Sequence, residues 1–544
     1  MRTFILFIAC LVLFKGHAQT LSAVDWQKDL RFLQEIVHED YPFLFKKVTA
    51  SEFDKAVETF YNEIPDMEAH EVVVGFSKII GLFKYGHTRM SFRDSPVAFH
   101  KLPMQLFQFS DGIYITGIQE EYKDFVGARI LEIEGKDMKE VLKAIYPVEP
   151  VENDQFFKAY GINTALFPEV LHAQGVTDTL KTELTLTLEK EGKEFTVKVQ
   201  ASENLKFPLH YGEVKPDSDW VSARDIAQPP LYLKNLDKIY YFEHLPEEKA
   251  VYVRHSQIQD DLGEPIPAFY KRLFEFIENN PVERLVIDVR LNGGGNNYKN
   301  KPIITGIIET QKINQTGKLY VILGRRTFSA CQNLVNEFSN YTNVIFVGEP
   351  TGENINFYGD NRKVVLPNSK LPVYLSFAWW QDKPQWENGP YMPADIPVEL
   401  RFDDYKSGKD PVLAKALSFD GEGFVRDPMA YLRGLFMEGK MELLQTEAKR
   451  LVNDPLYAHV GFEQEFNRAG YGLLDSDQIQ EAIFVFELSA GLFPESAYTW
   501  SSLAEAYEKK GNVEKAKEYY MKTISLDATG PAGKLAKKRL DALK

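Results

Sequence analysis

The sequence predicts a multidomain α+β chain in which an α/β core follows an N-terminal helical cap and a β-rich module, and precedes a C-terminal run of α-helical repeats. Three observations predict it. Strands alternate with helices from about residue 236 to 425, the pattern of an α/β layer architecture. Ahead of that region, Leu184, Leu186 and Leu188 alternate in step with Phe195, Val197 and Val199, as the two arms of a half-buried hairpin do. Beyond it, Phe466, Gly470, Ala482, Phe486 and Pro494 are echoed 34 residues later by Trp500, Ala504, Ala516, Tyr520 and Ala528. A period of that length marks stacked helical pairs.

Residues 1–18 carry Arg2, an apolar run from Phe4 to Phe14, and Gly16-His17-Ala18, which together predict a secretory signal cleaved after Ala18. The run is shorter than the ~20 residues a membrane anchor needs, so no transmembrane anchor is expected after cleavage, and the protein is expected in the periplasm or outside the cell. Cys10 leaves with the signal. Cys331 is then the one remaining cysteine, which excludes an internal disulfide and leaves stability to packed cores.

Residues 19–93 form the cap: Trp26, Leu30, Leu33, Ile36 and Val37, then Phe53, Val57, Phe60 and Ile64, then Val72 to Leu82, describe three amphipathic or buried helices. Residues 94–204 form the β module, with strands at Gly112–Ile118 and Gly127–Gly135, a helix at Asp137–Ile145 and the alternating hairpin. Residues 205–235 read as a linker. The core, 236–425, and the repeats, 426–544, follow; the segment Phe424 to Leu451 is expected to pack beside the two visible repeats as a further helical pair, because two repeats are fewer than a stack needs. A hydrophobic fraction of 44% supports sizeable cores, and a net charge of −15 disfavours nucleic acid or an anionic membrane as partner.

Within the core, one serine stands at a seam. Leu319 to Leu323 form a short apolar run like a buried parallel strand, and Leu334, Val335 and Phe338 recur at helical spacing after Ser329. A serine at such a corner has the first unpaired N–H groups of the helix beside it. Taken alone it would be a helix cap. Upstream, the strand Arg284 to Arg290 runs into Leu291 to Gly295, a glycine loop whose backbone can approach a substrate without side-chain clash.

These stretches resemble the serine peptidase family of the C-terminal processing (tail-specific) proteases and the tricorn core protease, in which D-x-R-x-N-x-G-G precedes T-x-S-A by one βα unit. Here Asp288 to Gly295 and Thr327 to Ala330 match those motifs, followed by Val347 to Gly352 and by Trp386 to Val398, with Gly86-His87-Thr88 far upstream. The resemblance spans about residues 20–425. It implies a crotonase/ClpP-like peptidase core, a PDZ-like fold for the β module, and a peptide or protein substrate with no cofactor and no metal. The 34-residue echo resembles tetratricopeptide repeats, which implies a protein partner for the tail.

The processing-protease branch takes its base from a lysine shortly after the serine. The corresponding position here is Asn354, so that dyad is absent. Gly348-Glu349-Pro350-Thr351-Gly352 resembles the tricorn-like branch instead, which implies Ser329 as nucleophile, His87 as base and Glu387 as the acid that orients it. The oxyanion is then expected between the N–H of Ala330 and that of Gly294 or Gly295, where each donor is worth ~10²–10³ in rate. Asn292 and Asp288 are expected to brace the loop. Two departures stand out: Gly86 replaces a serine that links histidine to glutamate in tricorn-like members, and Ala330 stands where basic-specific members carry an acidic residue. Ala330 means that a basic preference does not carry over, while the Gly86 and Asn354 departures leave open a catalytically inactive homologue that binds a peptide or a small apolar ligand; an adaptor that works through its helical repeats is a third reading.

Overall fold

The computed structural model describes residues 21–543 apart from Asn204, Ser218, Asp225, Ile226 and His459, so the predicted signal segment 1–18 lies outside the described residues. The chain divides into two units, residues 1–422 and 423–544.

Alternation in the core produces a six-stranded sheet whose spatial order is the chain order: Tyr240–Leu245, Ala250–His255, Arg284–Asp288, Leu319–Leu323, Ile345–Gly348 and Ile396–Pro397. The first pair is an antiparallel hairpin and every later pair is parallel. The crossovers are the helices Ile266–Asn279, Lys301–Glu309 and Ala330–Tyr341. Leu285, Ile287, Leu319 and Val321 are inaccessible to solvent and pack with Phe269, Leu273, Leu334 and Phe338 from those helices, which explains why these strands read as continuous apolar runs. Ser329 and the glycine loop both follow the C-terminal ends of parallel strands, where an α/β sheet gathers its sites.

Three helices form the cap: Ala23–Asp40, Ala50–Glu63 and Ala69–Gly81. Ser22 and Thr49 close capping boxes with Asp25 and Glu52, so the first two starts are set locally. The chain leaving the third helix carries His87 and then adds a two-residue strand, Arg89–Met90, to the edge of a long core hairpin, Phe357–Val365 with Pro372–Trp380. This pairing, with Arg89 opposite Tyr374 and Met90 opposite Val373, carries a residue of the cap into the core.

The β module is an antiparallel sheet of seven strands around the order Trp220–Ser222, Gly112–Gln119, Arg129–Ile133, Glu183–Lys190, Lys193–Gln200, with Met104–Phe109 on the second strand and the helix Met138–Ile145 against it. The expected hairpin is in register, Leu184 opposite Val199, Leu186 opposite Val197 and Leu188 opposite Phe195. Between the module's helix and that hairpin, residues 149–167 are threaded towards the core. Asn153 caps Phe156 and donates to the carbonyl of Pro390 at 2.6 Å.

The second unit contains the helices Pro428–Met437, Met441–Asn453, Phe462–Asp475, Ile479–Leu492, Ala497–Lys509, Val513–Leu526 and Pro531–Ala542. The echoed positions are the contacts between stacked helices: a side chain on Gly470 would meet the Phe486 ring at 2.4 Å, and Ala504 and Tyr520, one period on, are both inaccessible. Leu432, Leu435, Leu444, Ala448 and Leu451 of the first two helices pack with Phe462 and Phe466, as the helical pair expected before the repeats requires. Among the described residues no helix is long and apolar enough to cross a membrane.

Candidate active site

Ser329 sits on a strained turn between the strand Leu319–Leu323 and the helix Ala330–Tyr341, with φ 55° and ψ −130°. A non-glycine residue held there costs ~1–3 kcal/mol and persists only when its surroundings enforce it. They do. Thr327 Oγ1 accepts from Gly324 N at 3.1 Å and donates to Val289 O at 2.9 Å, Phe328 N donates to Asn292 O at 3.1 Å, and Ser329 N donates to Glu353 Oε2 at 2.9 Å. The Ser329 side chain does not cap its helix. Its Oγ instead lies 3.0 Å from His87 Nε2.

His87 is held from three sides. Its ring stacks on Phe328 at 4.7 Å and lies near-parallel to Phe357 at 5.9 Å, its carbonyl accepts from Asn361 Nδ2 at 3.0 Å, and the next residue, Thr88, is bonded through its hydroxyl to Ser376 of the core hairpin. Burial pushes the imidazole down to about 4, against the raising effect of Glu152 and Asp360. It is therefore neutral near neutral pH, the form in which Nε2 can take a proton.

The glycine loop abuts Ser329. A side chain on Gly294 would lie 2.5 Å from Ser329 Cβ and 3.0 Å from Ala330 N, and the residue has φ +102°. Asn292 shapes the loop: its Nδ2 donates to His255 O at 2.9 Å and its Oδ1 accepts from Gly294 N at 3.0 Å. Asp288 is tied to Arg290 and to the Tyr252 hydroxyl, and Arg290 forks onto Asp410. Both residues thus brace the loop. Because the Gly294 amide is spent on Asn292, Gly295 N is the loop amide of the expected pair left open: Ala330 N and Gly295 N have no acceptor among the described residues.

Glu387 is where the expectation fails. It lies in an exposed turn, Gln385–Glu387, with its carboxylate 3.3 Å from Lys383 and its side chain 48% exposed, and it makes no ion pair with His87. The position behind the histidine belongs to Glu353, whose Oε2 is 3.7 Å from His87 Nδ1 and whose side chain is inaccessible to solvent. Burial and the neighbouring Glu152 carboxylate hold the Glu353 carboxyl well above the usual range. Glu353 belongs to the stretch that carries Asn354, so sequence places it near the site, but nothing local separates it from a solvated loop residue. Glu152 has no local signal at all.

The aromatic surroundings of Phe328 come from the threaded segment rather than from Trp379, Trp380 or Trp386. Trp379 packs on Tyr358 and under Lys46, Trp380 on Tyr298, and Trp386 is 86% exposed. Phe156 and Tyr160, from the threaded segment, pack against Phe328 instead. Phe156 also explains one departure: a side chain on Gly86 would come within 2.3 Å of its ring and 2.9 Å of the Phe328 ring, so the linking serine has no room. His87, Glu152 and Glu353 are the one set of donors among the described residues close enough together to consider for a metal, but three of the four carboxylate oxygens accept from backbone or Asn354 N–H groups, and only Glu353 Oε1 has no donor.

The arrangement is a serine hydroxyl facing a neutral imidazole beside unpaired amides on an α/β core. Solved structures agree on the fold. A point mutant of CPAF superposes with a TM-score of 0.52 at 13% identity, covering 74% of this chain and 97% of that one. Mature CPAF complexed with lactacystin gives 0.50 at 13% identity, covering 73% and 98%. A photosystem II D1 C-terminal processing protease superposes more loosely, 0.33 at 13% identity over 72% and 98%. The tetratricopeptide repeat family model matches residues 497–529. No curated protein matches the chain by sequence.

Proposed function

We propose that this chain is an exported serine endopeptidase in which Ser329 attacks a peptide carbonyl, His87 takes its proton and returns it to the leaving amine, and the amides of Ala330 and Gly295 receive the oxyanion. The observation that carries the proposal is the 3.0 Å contact between His87 Nε2 and the hydroxyl of a serine that is strained into place and free of any capping role. A serine that served only as a helix cap would turn its hydroxyl onto its own helix. Ser–His chemistry of this kind needs no cofactor and no metal. The test is covalent labelling: a fluorophosphonate should modify Ser329. Lactacystin, bound by CPAF, is a second probe.

Export rests on the segment Arg2 to Ala18, and the N-terminal residue of the protein recovered outside the cytoplasm should be Gln19. A PDZ-like role for the β module is supported by its antiparallel sheet and single packed helix, which stand between cap and core in the chain.

The helical unit is proposed to hold a substrate segment or a protein partner. Within it Leu432, Phe436, Leu444, Phe466, Leu473 and Leu488 line a cavity of about 390 Å³ with Arg433 among the lining residues, a site suited to apolar side chains of an extended segment. Removing residues 423–544 should therefore leave cleavage of a short peptide within about threefold, while cleavage of a protein substrate falls by tenfold or more through KM. A soluble, folded truncation that cleaves no short peptide would refute this division of labour.

A further inference from the structure

Two positions where the chain departs from its resemblance, Gly86 and Asn354, converge on one carboxylate that sequence did not single out. Glu152 Oε1 accepts from Gly86 N at 2.8 Å, and its Oε2 accepts from Asn354 N at 3.0 Å and from the Asn354 side-chain amide. Glu152 is 7% exposed and comes from the threaded segment that also supplies Asn153 and Phe156. One side chain thus fastens the loop that carries His87 to the loop that carries Glu353. It also lies against Glu353: His87, Glu152 and Glu353 each place one donor atom within 4.8 Å of the others.

We propose that Glu152 and Glu353 work as one buried unit that shares a single proton, and that Glu152 is the residue that positions the His87 and Glu353 loops at the nucleophile. The inference rests on the reading of Ser329 and His87 as the reacting pair. Two adjoining carboxylates cannot both be ionised in a site closed to water, since like charges so close together are not offset. The donors decide which one keeps the proton. Three N–H groups point at Glu152, which is the environment of a carboxylate; Glu353 has only Ser329 N on Oε2, and its Oε1 has no donor at all. A buried carboxyl oxygen with no donor is costly as an anion and costs little as an O–H that donates to a neighbour. The proton therefore belongs to Glu353, which shares it with Glu152.

The unit then carries one negative charge behind His87, enough to steady an imidazolium formed during attack without drawing a proton onto the resting histidine. The groups that face it are Lys47 from the cap, Tyr85 and His87 from the loop after the third cap helix, and Tyr160 from the threaded segment. Lys47 donates to Lys84 O at 2.8 Å rather than to either carboxylate, so it tempers the charge from a distance. Burial and Glu152 both raise the Glu353 carboxyl well above the usual range, which favours its protonated form.

Glutamine at 353 reproduces a protonated carboxyl, with an oxygen for Ser329 N and an N–H for Glu152. Glu353→Gln should therefore lose no more than about tenfold in kcat/KM, whereas exchange of a true triad carboxylate for an amide costs ~10⁴. Glu353→Leu, which lacks both groups, should lose ~100-fold or more in kcat, and so should Glu152→Gln, which turns an N–H towards Gly86 or Asn354. Any limb of the wild-type pH profile that comes from loss of the Glu353 proton should be absent from Glu353→Gln. A readout independent of turnover uses the inert Ser329→Ala protein: its infrared spectrum at neutral pH should show the deuterium-sensitive C=O stretch of a protonated carboxyl, and Ser329→Ala/Glu353→Gln should lose it. A loss of ~10³ or more in Glu353→Gln, an unchanged infrared band in the double variant, or a stoichiometric metal ion in the purified protein would overturn the shared proton. If the wild-type protein cleaves nothing but the band behaves as expected, the peptidase reading fails and the carboxyl pair stands.

Discussion

Ser329→Ala will abolish both fluorophosphonate labelling and peptide cleavage, lowering kcat by ~10⁴–10⁶, and His87→Ala will lose nearly as much. Adding the second change to the first should cost little more, because base and nucleophile act as a unit once one of them is gone. The geometry requires this coupling: Ser329 Oγ has His87 Nε2 at 3.0 Å and makes no cap bond, so no second base is poised to replace the histidine. The pH profile adds an independent check. His87 must be neutral to act, and burial pushes it down to about 4, so kcat/KM should stay high as pH falls past the ordinary histidine value of ~6.5 and drop only near the depressed value. An acid limb centred at the ordinary value would show that His87 is more exposed to water than its stacking between Phe328 and Phe357 implies. Full activity in His87→Ala would remove the histidine from the mechanism. Ser329→Ala should keep the wild-type melting temperature within a few degrees, whereas His87→Ala removes a ring packed between Phe328 and Phe357 and should lower it.

The parts of the site that were legible in sequence are those fixed by local pattern. The run Leu319 to Leu323 followed by the helical spacing of Leu334, Val335 and Phe338 marks a strand-to-helix corner, and a corner has a defined end at Ser329. The triple glycine is legible for the same reason, because positive φ at Gly294 and Gly295 excludes other residues. His87 follows from motif alone; what delivers it, the pairing of Arg89–Met90 onto Pro372–Trp380, is a contact between segments nearly three hundred residues apart. Nothing local encodes such a contact. Glu387 illustrates the converse. Its motif neighbours are well placed, Asn388 bonding Asn356 and Met392 bonding Thr351, yet its own side chain turns out to Lys383. A loop motif fixes backbone better than it fixes which carboxylate faces inward. Glu353 and Glu152 were missed because their importance lies in burial beside each other, and two glutamates 201 positions apart share no sequence signal.

Gly294→Ala tests the other half of the chemistry, the space in which the oxyanion forms. The added methyl would stand 2.5 Å from Ser329 Cβ, 2.9 Å from Phe328 O and 3.0 Å from Ala330 N, so it must either displace the nucleophile or occupy the approach to the Ala330 amide. Neither neighbour is a flexible side-chain end. The backbone at φ +102° adds strain of ~1–3 kcal/mol, which should lower the melting temperature without unfolding a core whose strands are fully buried. The expected result is a fall in kcat of ~10²–10³, the amount attached to an oxyanion donor, with fluorophosphonate labelling slowed in parallel because the same amides stabilise the phosphonylation transition state. Two substitutions separate this from simple destabilisation. Gly434→Ala, in a helix of the second unit where a methyl meets nothing within 4 Å, should leave the rate unchanged and raise stability by up to ~1 kcal/mol through helix propensity. Gly295→Ala should weaken the fold directly, since its methyl would press to 2.2 Å on Ile258 O rather than on the nucleophile. If Gly294→Ala cleaved peptide at the wild-type rate, the oxyanion would have to form away from Ala330 N, and the placement of the substrate carbonyl between that amide and the glycine loop would be wrong.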